Sequence, residues 1–180
     1  QPEKPEEELQ EPLQPETSQD QPQETEEKSS AGEEGIVLDK MDGDHHMVFS
    51  EEAVKGFTFE TEYTLLEDGY SAALTFGIRD KGNVPAKWMG ANVNFHDRNI
   101  RVFQVEGGAR DIGTGSIEGI LDREKAIHAR LQVTKDGALT YEVYNVETPE
   151  QKVTITGQID NYEGGYLGLL TFKSKAEFAH

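Results

Sequence analysis

Phe57-Thr58-Phe59-Glu60-Thr61-Glu62-Tyr63-Thr64-Leu65 decides the fold class. Phe57, Phe59, Tyr63 and Leu65 alternate with polar partners. A period of two sets one strand face against a core and the other in water. Glu67-Asp68-Gly69 then signals a hairpin, and Tyr70 to Arg79 reads as the returning strand.

The pattern recurs outward from this hairpin. Trp88 to Phe95, Ile100 to Glu106, Arg110 to Ile112, Ala126 to Thr134 and Leu139 to Val146 read as strands. So do Val153 to Ile159, Gly165 to Phe172 and Ala176 to Phe178, with two short front strands at Gly35 to Leu38 and His46 to Phe49. Turn signals fall between them: His96-Asp97-Arg98-Asn99, Gly107-Gly108, Lys135-Asp136-Gly137 and Gly164-Gly165. One helical turn is expected over Leu121 to Lys125. About a dozen short strands at this spacing predict an all-β, two-sheet antiparallel β-sandwich.

The remainder of the chain has another composition. Residues 1–35 hold five of the seven prolines, six glutamines, 12 acids and two lysines, with no aromatic residue. Residues 36–180 hold 23 acids, 15 bases and every aromatic residue. Like charge with little apolar surface does not offset the entropy of ordering. The expectation is a disordered acidic Pro/Glu/Gln linker over 1–35 and a folded module over 36–180.

Net charge of −18 argues against nucleic acid and anionic membranes as partners. No apolar stretch approaches the roughly 20 residues that span a bilayer. The acidic start resembles that of a mature bacterial surface protein whose signal peptide has been removed. The expected setting is secreted or cell-surface, which the lack of cysteine permits.

Catalytic patterns are sparse. There is no cysteine nucleophile and no Gly-x-Ser-x-Gly elbow, and Gly113-Thr114-Gly115-Ser116 lacks the lysine and helix of a phosphate loop. Glu60 and Glu62 have the spacing of a glycosidase carboxylate pair on one strand face. Glu-x-Glu is also common on a wet strand of an acidic chain. The adjacent His45 and His46 read as a solvated loop, since neighbours on a strand point to opposite faces. Asp39, Asp42 and Asp44 beside a glycine are candidate ligands for Ca2+; no other cofactor is expected.

Phe57-Thr58-Phe59-Glu60, Ala72-Ala73-Leu74-Thr75-Phe76, Gly90-Ala91-Asn92-Val93-Asn94 and Ile100-Arg101-Val102-Phe103 occur in order, closing with Gly165-Tyr166-Leu167-Gly168-Leu169 and Ala176-Glu177-Phe178. Over residues 36–180 this resembles the fructan-binding carbohydrate-binding modules of family 66. It is also similar to the C-terminal β-sandwich of glycoside hydrolase family 32 and to wider concanavalin-like lectin modules. The resemblance implies a jelly-roll sandwich that holds a terminal fructose through a Glu, an Arg closing a strand, a second Glu and a Trp near the end.

Glu60 matches the first position. The Arg position falls on Gly77, with Arg79 two residues on and on the same face if the strand is regular. The Trp position falls on Phe172, and Glu118 lies near the second Glu. Trp88, the sole tryptophan, is a further platform candidate. Carboxylate, Arg fork and aromatic ring suit a hydroxyl-rich ligand. The resemblance therefore implies a non-catalytic sugar-binding module of a larger secreted glycoside hydrolase. Its expected partners are a polysaccharide or glycan and neighbouring domains. A structural spacer and a Glu60/Glu62 glycosidase are the rival readings.

Overall fold

A computed structural model describes residues 35–67, 70–81 and 86–179, apart from the Asp42 side chain. Residues 1–34 of the expected linker lie outside the described residues. Ten antiparallel strands form: β1 (Ile36–Val48), β2 (Phe57–Leu65), β3 (Ser71–Ile78), β4 (Lys87–Asn94), β5 (Asn99–Glu106), β6 (Ala109–Ser116), β7 (Ile127–Val133), β8 (Ala138–Asn145), β9 (Lys152–Gln158) and β10 (Tyr166–Phe178). The hydrogen-bonded order is β6-β5-β4-β3-β10-β2-β7-β8-β9, with β1 on β10.

The path makes two layers because β10 and β1 bend and serve both. The first half of β10 pairs with β3, and Ala176 to Phe178 pair with β2. β1 follows β10 through both halves, slipping register between Lys40 and Asp44 opposite Lys173, whose φ is 44°. Extra residues at such a slip kink a strand and raise its twist. The two pairs of short strands expected at the chain's ends are therefore two continuous 13-residue strands, each turning a corner. The front sheet runs β6-β5-β4-β3-β10-β1 and the back sheet β9-β8-β7-β2-β10-β1. The prediction of an antiparallel β-sandwich holds.

Alternation sends Leu74, Phe76, Ala91, Val93, Ile100 and Val102 of the front sheet against Tyr63, Ile127, Leu131, Tyr141 and Val143 of the back. On the far side the edge strands β6 and β9 nearly close a barrel. A Cβ at Gly115 would lie 3.0 Å from Val153 and 3.1 Å from Ile155, so a larger residue would make the facing side chains of β9 give way.

Two local expectations change. Leu121 to Lys125 form a turn instead of a helix, because Asn145 holds Asp122 at both ends: Asp122 N–H donates to Asn145 Oδ1 (2.7 Å) and Asn145 Nδ2 to Asp122 O (2.8 Å). His45 and His46 lie within β1 and not in a solvated loop.

Candidate functional site

The cross-strand register lays out two outer faces. On the back sheet, Glu62, His128, Tyr144 and Lys152 lie in one row and Glu60, Arg130, Glu142 and Thr154 in the next. Arg130 Nε donates to Glu60 Oε1 (2.7 Å), and His128 sits 3.7 Å from Glu60 and 3.5 Å from Glu62. The His128 ring stacks on Tyr144 at 4.7 Å, and Lys152 pairs with Glu142 at 3.2 Å. On this face each of Glu60, Glu62 and Glu142 has an arginine, histidine or lysine beside it.

The front sheet's outer face is different. All eight residues of β3 are buried, so both of its faces are covered. The outward floor is built of small residues: Ser71, Ala73 and Thr75 on β3, Gly90, Asn92 and Asn94 on β4. Over part of it lies an aromatic layer. The Trp88 ring lies 5.1 Å from His46 and 5.6 Å from Phe103. A Cβ at Gly90 would come within 2.6 Å of Phe103 and 3.1 Å of Trp88. Glycine at that position lets two large rings settle onto the sheet. His46 shares a 2.9 Å hydrogen bond with the fully buried Thr75. Burial lowers the His46 imidazole to about 4, favouring the neutral ring.

Polar groups border these rings. The Arg101 guanidinium lies 5.0 Å over Phe103 and donates to Asp111 Oδ1 from Nε (2.8 Å) and Nη2 (2.5 Å). Next to it in register is Asn92, 4% exposed, whose Oδ1 has no hydrogen-bond partner. Asn99 Oδ1 is likewise unpartnered. Asn94, by contrast, is used up by the Asp97 turn at 2.9 and 3.1 Å. A buried acceptor without a donor costs on the order of 1–3 kcal/mol.

The structure separates the residues expected to form one sugar pocket. Glu60 points out from the back sheet, so it faces away from Trp88 and Phe172 on the front sheet. Arg79 does not share their face either, because β3 is not regular. Gly77 has φ 58°, and the pairing slips on both sides of it: Phe76 pairs with Met89 and then Arg79 N–H bonds Lys87 O; Thr75 pairs with Gly168 and then Ile78 with Tyr166. One extra residue reverses the alternation and turns Arg79 into the end of the sandwich, where it binds Glu163 (3.2 Å) and Gly164 O (3.2 Å). A side chain at Gly77 would push the tip of Met89 aside, with a Cβ 2.2 Å from Met89 Cε, and would be strained by the positive φ.

Phe172 is half-buried at the far end of the front face, edge-on to Tyr70 with Lys173 over both rings. Glu118 lies beyond β6, at the opposite end of the face from Trp88, paired with Arg98 at 3.2 Å. Sequence reasoning missed His46, Asn92, Arg101 and Asp111; Arg101 lay inside a quoted motif, but no local signal marked its face.

Of the acidic set near β1, the Asp39 and Asp44 side chains are described. Asp39 lies 3.5 Å from the Lys175 ammonium, and its N–H donates to His45. Asp44 sits beyond the register slip, and the Asp42 side chain lies outside the described residues. Among the described residues no group of three His, Cys, Asp or Glu converges on one point.

No protein-family model matches the chain, and no curated protein matches it in sequence. Solved structures do. The carbohydrate-binding module CBM66 from Bacillus subtilis is 22% identical over 81% of this chain and 89% of its own, with a TM-score of 0.62. A legume lectin-like domain from Entamoeba histolytica is 13% identical over 81% of this chain and 84% of its own, with a TM-score of 0.54. The described chain has the β-sandwich fold shared by that carbohydrate-binding module and legume lectin-like domains.

Proposed function

We propose that the domain is a non-catalytic carbohydrate-binding module whose ligand lies on the outer face of the front sheet. One observation carries the reading: Trp88, the Arg101–Asp111 pair and the unpartnered Asn92 Oδ1 share a single face. An apolar sugar ring face suits an aromatic side chain, while the hydroxyls take the guanidinium and the carboxylate beside it. The fold of CBM66 and of the lectin-like domain supports the same reading. The residues that would make a fructose pocket do not converge, so the ligand class proposed is a glycan, with fructans as one member to test. The module would tether a secreted or cell-surface glycoside hydrolase to that glycan.

Calorimetry against levan, inulin, fructose and a panel of host and plant glycans tests this. The expected Kd is about 0.1–1 mM, near −5 kcal/mol. Arg101→Gln should weaken it roughly tenfold. No saturable heat with any glycan at concentrations of tens of millimolar refutes the proposal.

A contact with a neighbouring domain is the second reading, favoured by β1. That strand has one edge unpaired among the described residues and exposes Val37 (47%) and Met41 (40%). The glycosidase reading fares worse. Glu60 and Glu62 lie on an open sheet face beside Arg130 and His128, whereas a retaining pair flanks a cleft with one acid free to protonate the leaving group.

A further inference from the structure

The bulge at Gly77 does more than remove Arg79 from the front face: it opens one end of the sandwich into a cavity of about 360 Å³. One wall is the end of the front sheet, where Lys87, Gln104, Glu106 and Arg110 replace the apolar residues of the core. The other wall is the turn between β9 and β10, with Asp160, Asn161 and Glu163. Met89 forms part of the floor. The cavity thus lies on the inward side of the front sheet, away from the aromatic layer.

Its charges are unevenly committed. Arg79 holds Glu163, and Lys87 holds Glu106 at 3.4 Å. Arg110 has no carboxylate among the described residues; its Nη2 donates to the neutral Gln104 Oε1 at 3.2 Å. Arg79, Arg98, Arg101 and Arg130 each hold an acid. In a module with 23 acids for 15 bases, an arginine left with an amide at a cavity mouth stands apart. A guanidinium presents a planar fork that matches a carboxylate. Beside Met89 and Ile159, the lining offers the hydrogen-bonding groups of Gln104, Asp160 and Asn161 around a small volume, which suits hydroxyls better than a bare ion.

We propose that this end cleft binds an acidic sugar unit, a hexuronate. Its carboxylate lies on Arg110, and its hydroxyls meet Asn161 and the acids of the two walls. Net negative charge on the module does not forbid this, because surface charges beyond about 8 Å are largely screened at physiological salt. The cleft site stands apart from the sugar site proposed on the front face, so either can fail without the other.

Backbone-amide NMR titration of the full chain tests it, with glucuronate, glucose and acetate as separate probes. Glucuronate should shift the amides of Gln104, Asn161 and Gly164 saturably, with Kd of about 1–10 mM. Glucose and acetate should each bind at least about tenfold more weakly. Arg110→Gln, an exposed strand position, should erase the preference for glucuronate over glucose while leaving front-face glycan binding intact. The proposal is overturned if glucuronate causes no saturable shift at these amides. It is equally overturned if glucose or acetate matches glucuronate, or if Arg110→Gln leaves the preference unchanged.

Discussion

The two outer faces of this sandwich come from the same alternation rule and reach opposite solutions. On the back sheet, Glu60, Glu62, His128, Arg130, Glu142 and Lys152 answer one another across strands at 2.7 to 3.7 Å. On the front sheet, small residues carry the rings of His46, Trp88 and Phe103, and Asn92 Oδ1 is buried without a partner. A face whose polar groups satisfy one another has little left to offer a ligand. A face that leaves aromatic surface beside a guanidinium still has groups to offer a ligand.

The largest test of that contrast is an aromatic deletion on each face. Trp88→Ala should reduce glycan affinity by at least about 30-fold, about 2 kcal/mol. Tyr144→Ala on the back sheet should leave it within about twofold. Calorimetry on both variants, with circular dichroism to confirm folding, separates the faces. Equal losses in the two would erase the distinction.

The sandwich was legible in the sequence because alternation is local: Phe57 to Leu65 forms β2, and each of the seven strands β2 to β5 and β7 to β9 falls within about two residues of its reading. The corners were not legible. A slip such as that between Lys40 and Asp44 depends on what the partner strand does, and no local pattern announces it. The candidate site suffered from the same blindness. Arg79 was placed by counting two residues from Gly77, and the positive φ of Gly77 reverses that count. Asn92 and Arg101 sit side by side only because β4 and β5 pair in one particular register.

Acid should weaken the fold through His46 of the front face. His46 titrates near 4 in the folded protein against 6.5 when unfolded, so between these values the unfolded chain binds the extra proton. Stability should therefore rise with pH across the window from 4 to 6.5 and fall as the pH drops through it. The effect expected is about 1–2 kcal/mol, after discounting for the partly solvated ring. Urea titrations in steps across this window read it directly. His46→Gln should flatten the slope, and an unchanged slope would mean that the imidazole is not buried as neutral.

The smallest expected effect lies on the back sheet, and it is the sharpest check on calling that face self-sufficient. Glu60 is 47% exposed and holds Arg130 and His128 together. Exposed pairs contribute little because water and salt screen them and two long side chains lose freedom. Glu60→Gln should therefore cost about 0.2–1 kcal/mol in urea unfolding, less at high salt, with no change in glycan affinity. A double-mutant cycle with Arg130→Gln should return a coupling of the same size. If Glu60→Gln abolished sugar binding while the fold stayed intact, the binding face would be the back sheet. The orphaned acceptor at Asn92 would then need another explanation.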